Sequence, residues 1–189
     1  LMLNDNQLTG SIPPELGSLT SLFELHLNSN QLSGSIPTEF FNLVNLDNYW
    51  SDFRWNAIYT YDNALIDFLN TKQITSQWID TQTLAPTNPQ VTGWGSGVAT
   101  VEWGLIPYTG DTGGYILEYA LSPDGPWIVG LGTPDKTYTA ALLSGLDPDR
   151  LYFFRMRTVT YSHANNDNDV YSEYTPVFAN FPQCEGDDG

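Results

Sequence analysis

One cysteine and six basic side chains in 189 residues are the first scarcities of this chain, and each excludes something. The single thiol, Cys184, can form no disulfide within the chain, so a disulfide-stapled miniprotein is excluded while export is not. Six Lys and Arg stand against 22 Asp and Glu, a formal charge of -16. Nucleic acid and anionic membrane surfaces both need a basic stripe, so neither is an expected partner. No run reaches the 18 or so apolar residues of a membrane span, and no signal peptide stands at Leu1, so no membrane insertion is expected of this segment. Only two histidines, His26 and His163, offer a neutral-pH base, and they fall in different halves. There is no H-E-x-x-H, Walker loop or EF-hand spacing, and the "GWGSG" at Gly93 fits neither G-x-S-x-G nor G-x-G-x-x-G. Asp147 with Asp149 reads as turn chemistry. The expectation is therefore a protein that is not an enzyme and requires no cofactor. With 15% charged and 14% aromatic residues, disorder is not expected for most of the chain.

What is present is repetition. "NQLTGSIPPEL" from Asn6 returns as "NQLSGSIPTEF" from Asn30, and Leu1, Leu3, Asn6, Leu8, Gly10, Ile12 and Pro13 lie over Leu25, Leu27, Asn30, Leu32, Gly34, Ile36 and Pro37 at a constant offset of 24. Alternate leucines point inward from a short strand, and the Asn turns inward so that its amide can bond backbone groups left unpaired where the chain bends. This L-x-L-x-x-N-x-L pattern with L-x-G-x-I-P resembles the plant-type class of leucine-rich repeats, which also occurs in bacterial surface proteins. A third copy is altered: Phe53, Asn56 and Ile58 stand where Leu3, Asn6 and Leu8 do after a two-residue insertion. Asp62 then caps an expected helix with Ala64, Leu65, Phe68 and Leu69 on one face. Such a helix, with Trp55, Tyr59 and Trp78, would close one end of the solenoid. The other end begins in mid-pattern, so either upstream repeats precede it or another molecule covers Leu1, Leu3 and Leu8.

From Ala85 the leucine period gives way to alternating Thr, Tyr, Val and Gly between turn signals, which predicts seven strands of an antiparallel sandwich: 88–94, 97–104, 114–121, 126–131, 137–144, 151–160 and 170–178. Trp103, the alternation of Tyr115, Leu117 and Tyr119, and "LSGLDPDRLYFFRM" with Leu146 and Tyr152 resemble a fibronectin type III domain. That resemblance implies a buried Trp103 and a Tyr152 bonded to backbone across its turn. It also places Glu118, Arg155 and Arg157 outward on one sheet with Arg150 near its edge, as an ion-pair ladder or, less simply, an anion or partner site. The expected fold class is thus a leucine-rich repeat solenoid end with a C-terminal capping helix over 1–80, a linker at 81–86 stiffened by Pro86, an all-β fibronectin type III-like sandwich over 87–181, and an acidic tail over 182–189.

Two surfaces are candidates for binding. The resemblance to leucine-rich repeats implies a concave face made of the residues between the inward leucines: Met2, Asn4 and Asp5; Glu24, His26, Asn28 and Ser29; Trp50, Asp52, Arg54 and Trp55. Exposed Trp and Arg are the residue types that anchor interfaces, although cap packing competes for both tryptophans. The second surface is the loop end of the sandwich, where Asp111, Asn165, Asp167 and Asp169 have the oxygen donors that suit Ca2+ or an ordinary Asn/Asp-rich turn. With Asn6, Asn30, Asn56, Trp103 and Tyr152 in structural roles, the chain reads as an extracellular or cell-surface recognition and adhesion module for a protein or glycan ligand. The scarcity of cysteine and the lack of any N-x-S/T sequon favour a bacterial origin. Alternatives are a structural subunit of a surface layer or filament, self-associating through the open repeat edge, and an accessory binding module of a secreted polysaccharide-active enzyme.

Overall fold

The computed structural model of the chain describes residues 1–75 and 77–180, so the acidic tail, Cys184 and Phe181 lie outside the described residues. Two hydrophobic clusters organise them, one drawn from residues 12–79 and one from residues 99–156. Among the described residues no helix is long and apolar enough to cross a membrane.

The first cluster is wrapped by coils that each contribute a short strand to one parallel sheet, β1 (Thr9–Gly10), β2 (Gln31–Ser35) and β3 (Ala57–Tyr59), in that order. Earlier in each coil, Met2, His26 and Asp52 line up as parallel bridges. Between the bridge and the strand the chain turns through a left-handed residue, Asp5 (φ 53°), Ser29 (φ 59°) or Trp55 (φ 54°), and the residue after it is Asn6, Asn30 or Asn56. The Asn6 amide bonds Leu3 O and Asn4 O of its own coil, whereas those of Asn30 and Asn56 stitch successive coils together. Asn30 donates to Leu3 O (2.9 Å) and Leu27 O (3.0 Å) and accepts from Leu8 N–H; Asn56 donates to Leu27 O (2.9 Å) and Arg54 O (3.1 Å) and accepts from Leu32 N–H. Asn30 and Asn56 are fully buried, so each amide satisfies backbone groups that water cannot reach. Gly10 ends β1 and Gly34 lies within β2, at φ 79° and 90°, and Pro13 and Pro37 lead into 3-10 turns at Pro14–Ser18 and Thr38–Asn42.

A fourth rung lies where the leucine pattern has already gone. Gln82 accepts from Ile58 N–H (3.2 Å) through Oε1 and donates to Phe53 O (2.9 Å) and Trp78 O (3.0 Å) through Nε2. It stands 26 residues after Asn56, as Asn56 stands 26 after Asn30, and its one extra methylene reaches from a 3-10 turn at Trp78–Thr81. Helix α1 (Asn63–Lys72) starts where Asp62 Oδ1 accepts from Ala64 and Leu65 N–H. It buries Leu65 and Leu69 against a core that includes Phe40, Leu43, Phe53 and Trp78, with Phe68 and Ile66 half-covered. Each such side chain contributes about 1.5–3 kcal/mol. Ala64 is exposed, because the buried face is centred on Leu65 and Leu69 and also takes in Lys72. Lys72 is held by Leu46 O (2.8 Å) and Asn48 Oδ1 (2.9 Å) of the preceding coil.

The second cluster lies between two sheets of an all-β sandwich. Strands β4 (Thr87–Gly95), β5 (Val98–Gly104) and β8 (Ala140–Ser144) form one sheet in the order β4-β5-β8. The other runs β10-β9-β6-β7, from β6 (Gly113–Ala120), β7 (Ile128–Gly132), β9 (Phe153–Thr160) and β10 (Val170–Tyr171), with β11 (Phe178–Ala179) also on β9. The seventh expected strand is therefore two short pieces joined by an irregular stretch. That stretch stays on β9 through Ser172 and Thr175, whose N–H groups donate to Thr158 O and Met156 O. Val101, Leu117, Phe154 and Met156 fill the space between the sheets, and Trp103 meets Tyr115 edge-on at 5.3 Å. Tyr152 Oη accepts from Asp147 N–H at 3.0 Å beside the buried Leu146.

On the outer face of the larger sheet, only part of the basic cluster forms ion pairs. Arg155 meets Glu118 at 2.6 Å and lies between the rings of Trp127 and Tyr174; Arg150 pairs with Asp147; Arg157 instead stacks over Tyr171 and Tyr174.

Candidate functional site

The bridge positions carry the concave row. Met2 and Trp50 are 60% and 58% exposed, so the face has apolar anchors at two of its coils. His26 lies between Met2 and Asp52 in the row of bridges, 3.6 Å from the Glu24 carboxylate. Asp52 is buried: Arg54 grips both carboxylate oxygens (2.7 and 2.9 Å) and Gln73 donates to one (2.9 Å). Burial by itself would raise the Asp52 carboxyl; the hydrogen bonds from Arg54 and Gln73 outweigh it and hold the group below the usual carboxylate range. Arg54 also covers the Trp55 ring at 4.2 Å. Asp52 and Arg54 are thus a fixed pair in the face, and Asn4, Glu24 and Asn28 remain half-exposed around it.

Trp55 and Ser29 leave that face for the junction with the sandwich. Trp55 packs against the sandwich core while Trp78 is buried in the repeat core, and Tyr59 donates to Glu173 Oε2 (3.0 Å). Of the three aromatics expected in one closing layer, Trp55 therefore joins the second cluster, Tyr59 reaches Glu173 of the sandwich half, and Trp78 stays in the repeat core. The reason is the loop between β9 and β10, which lies along the coils. Asn166, buried, donates to Asn30 O (3.0 Å) and Trp55 O (2.9 Å); Asn168 donates to Asn6 O (2.8 Å) and accepts from Gln31; Ser29 Oγ donates to Asn165 O (2.7 Å). Residues two apart in the loop meet ladder residues 24 apart in the coils, because neighbouring coils are spaced about one strand apart, near 4.8 Å. Thr83 extends the series by donating its N–H to Asn56 O and its hydroxyl to Thr160 Oγ1.

The two sequence candidates meet in a polar cleft of about 470 Å³, lined by Asp5, Asn6, Gln7 and Ser29 from the coils and by Ala164–Asn168 from the loop. It gathers carboxylates and amides with no basic side chain, which suits hydroxyl groups or a cationic side chain. Of the proposed calcium ligands, Asn165 and Asp167 line this cleft, Asp169 Oδ1 accepts from Ser162 N–H, and Asp111 accepts from Tyr108 Oη and lies 3.5 Å from His163 Nδ1. Among the described residues no three His, Cys, Asp or Glu side chains come together to hold a metal ion, so Asp111, Asp167 and Asp169 offer calcium no shared set of carboxylates.

Behind the loop lies a buried cation that the sequence does not announce. Lys136 is fully buried, donates to Thr160 Oγ1 (3.1 Å) and sits 4.2 Å over the Tyr108 ring. Burial lowers its pKa to about 8, partly offset by the Asp111 charge. Burial likewise lowers His163, with Asp111 opposing and Lys136 adding to the shift. Nothing in the leucine pattern marks Gln82, while Asn166 and Asn168, of the Asn/Asp-rich stretch read as possible oxygen donors for calcium, spend their amides on the coils. The spacing from Asn56 could have pointed to the first, and the two-residue Asn spacing in the loop to the others.

Residues 1–19 and 21–43 match the family model of the Leucine Rich Repeat. No match to a curated protein is found. Solved structures similar to the chain include a cytokine receptor complex (21% identity, TM-score 0.46, 58% of this chain and 57% of that one). Others are titin module A71 from human cardiac muscle (23%, 0.36, 49% and 85%) and the third fibronectin III domain of the human KIAA0343 protein (22%, 0.39, 57% and 88%). The chain spans little more than half the length of the cytokine receptor complex chain.

Proposed function

We propose that the chain is a non-enzymatic, extracellular recognition module of a bacterial surface protein. Its leucine-rich repeats form the end of a solenoid closed by α1 and present their concave face to a protein or glycan ligand, and the fibronectin type III-like sandwich braces them. The observation that carries this reading is the pairing of exposed Met2, at the first bridge position, and exposed Trp50, two residues before the bridge at Asp52, with a polar cleft on the same coils. A solvated aromatic beside a fixed Arg54–Asp52 pair has the composition of an interface anchor. The test is a binding screen against immobilised extracellular proteins and glycans. A true ligand loses about ten-fold or more in affinity with Trp50→Ala, whereas Leu142→Ser, at an exposed position on β8, leaves it unchanged. If every ligand found is indifferent to Trp50→Ala, the concave-face reading fails.

A second reading is a structural subunit of a surface layer or filament that self-associates through the repeat edge at β1. Self-association through that edge into a layer or filament predicts concentration-dependent mass in light scattering. A monomer at high concentration rejects it. The role of accessory module to a polysaccharide-active enzyme is the glycan branch of the first reading.

A further inference from the structure

A second concavity lies on the junction and shares no residue with the concave face. This groove of about 990 Å³ runs between the turn into α1, the linker and the segment between β10 and β11. Tyr61, 90% exposed, stands at its mouth, its ring 5.2 Å from that of Tyr59 and inclined to it by 49°. A ring this open to water can stack on a ligand that has an apolar face. Around the pair stand Asn63 and Asn88, both exposed, with side-chain amides that make no hydrogen bond among the described residues, and Glu173, which already receives the Tyr59 hydroxyl.

Charge and backbone chemistry decide among possible occupants. None of the six Lys and Arg side chains lines the groove, and its carboxylate would repel an anion, so nucleic acids and acidic polysaccharides do not fit. A peptide adding as a strand needs free backbone donors. Here Pro86, Pro89 and Pro176 have none, and the N–H groups of Thr83, Leu84, Ser172 and Thr175 are spent on the protein's own carbonyls. What remains is a largely apolar wall that includes Ile66, Ile79, Leu84 and Val177, edged by two tyrosine rings, free amides and one carboxylate, with a volume typical of small-ligand sites. A neutral sugar chain offers apolar C–H faces to stack on rings and hydroxyls that both donate and accept. We propose that the groove is a binding site for a neutral oligosaccharide, with Tyr61 and Tyr59 as stacking platforms and Asn63, Asn88 and Glu173 as partners for its hydroxyls.

The site goes beyond the concave-face reading and stands or falls separately. Isothermal titration of the full chain with cellohexaose, xylohexaose, mannohexaose and chitohexaose tests it. At least one of the four binds saturably; Tyr61→Ala and Asn63→Ala each weaken that binding about ten-fold, with unchanged melting temperatures because both positions are exposed and neither has a left-handed backbone; Trp50→Ala leaves it unaltered. Failure of all four sugars to bind overturns the proposal. Binding that Trp50→Ala abolishes and Tyr61→Ala spares also overturns it, by placing the glycan on the concave face. Preferential binding of decaproline that Tyr61→Ala abolishes overturns it in favour of a proline-rich peptide.

Discussion

The coils and the sandwich complete their backbones by different means. In the sandwich, β6 and β9 pair residue for residue from Gly113↔Thr160 to Ala120↔Phe153, and the hydrogen bonds are main chain to main chain. In the coils the strands are two, five and three residues long, and the bends between them leave buried carbonyls and N–H groups that no neighbouring strand reaches. Side-chain amides fill the gap: Asn30, Asn56 and Gln82 each bind two or more main-chain groups, and Gln73 and Ser51 serve Phe53 N–H and Leu25 N–H in the same way. The repeat half therefore depends on a few irreplaceable polar side chains. The sandwich spreads most of the same duty over its ladders and turns to side chains at its edge, where Thr175, Ser172 and Asn180 accept from Met156, Thr158 and Tyr152 N–H.

The sharpest test of this contrast is Asn56→Ala. It leaves buried Leu32 N–H without an acceptor and takes one of two donors from Leu27 O and from Arg54 O, which keep Asn30 and Ser29 N–H, and about 3 kcal/mol of stability should be lost in urea unfolding. Tyr152→Phe, which removes one hydroxyl acceptor from Asp147 N–H, should cost only about 1 kcal/mol. Equal losses would break the comparison.

Next in size is Asn166→Ala, the residue through which the sandwich enters the ladder. Two main-chain carbonyls lose their donor, and about 2–3 kcal/mol is expected. Hydrogen exchange should show faster exchange at β2 and β3 while β6 keeps its protection. Uniform loss of protection in both halves would mean that they unfold as one unit.

Lys136→Met should have a smaller effect and the opposite sign. The folded pKa of about 8 lies below the unfolded value of 10.5, so between those values the unfolded chain binds more protons and stability rises with pH. Below pH 8 the full penalty of the buried charge applies. Methionine removes that penalty, so the variant should be about 1–2 kcal/mol more stable at pH 7, with the gain over wild type shrinking between pH 8 and 10.5. A variant less stable than wild type at pH 7 would show that the cation–Tyr108 contact outweighs desolvation.

How much could be read in advance follows the same division. The coils were legible because one coil is one period: Asn6, Asn30 and Asn56 recur in the text as they recur in space. Asp62 as a helix cap and Tyr152 at its turn are likewise local signals, each bonded within five residues of itself. Gln82 escaped because a glutamine reaching from a 3-10 turn performs the asparagine's task without the leucines that mark it. Trp55 and Ser29 were assigned to an open face by their place in the repeat, yet the loop that covers them comes 136 residues after Ser29 in the chain.

The sequence by itself determined the coil period, the inward leucines and amides, the helix start and the strand alternation, because each is set by interactions within a coil or along an element. Only the tertiary structure decided that the Asn-rich loop spends its amides on the ladder carbonyls, that Lys136 is sealed behind it, and that Tyr59 and Tyr61 border a groove. Those outcomes depend on where two separately formed surfaces touch. No periodicity records that, because the partners are far apart in the chain and are chosen by shape and by unmet hydrogen bonds.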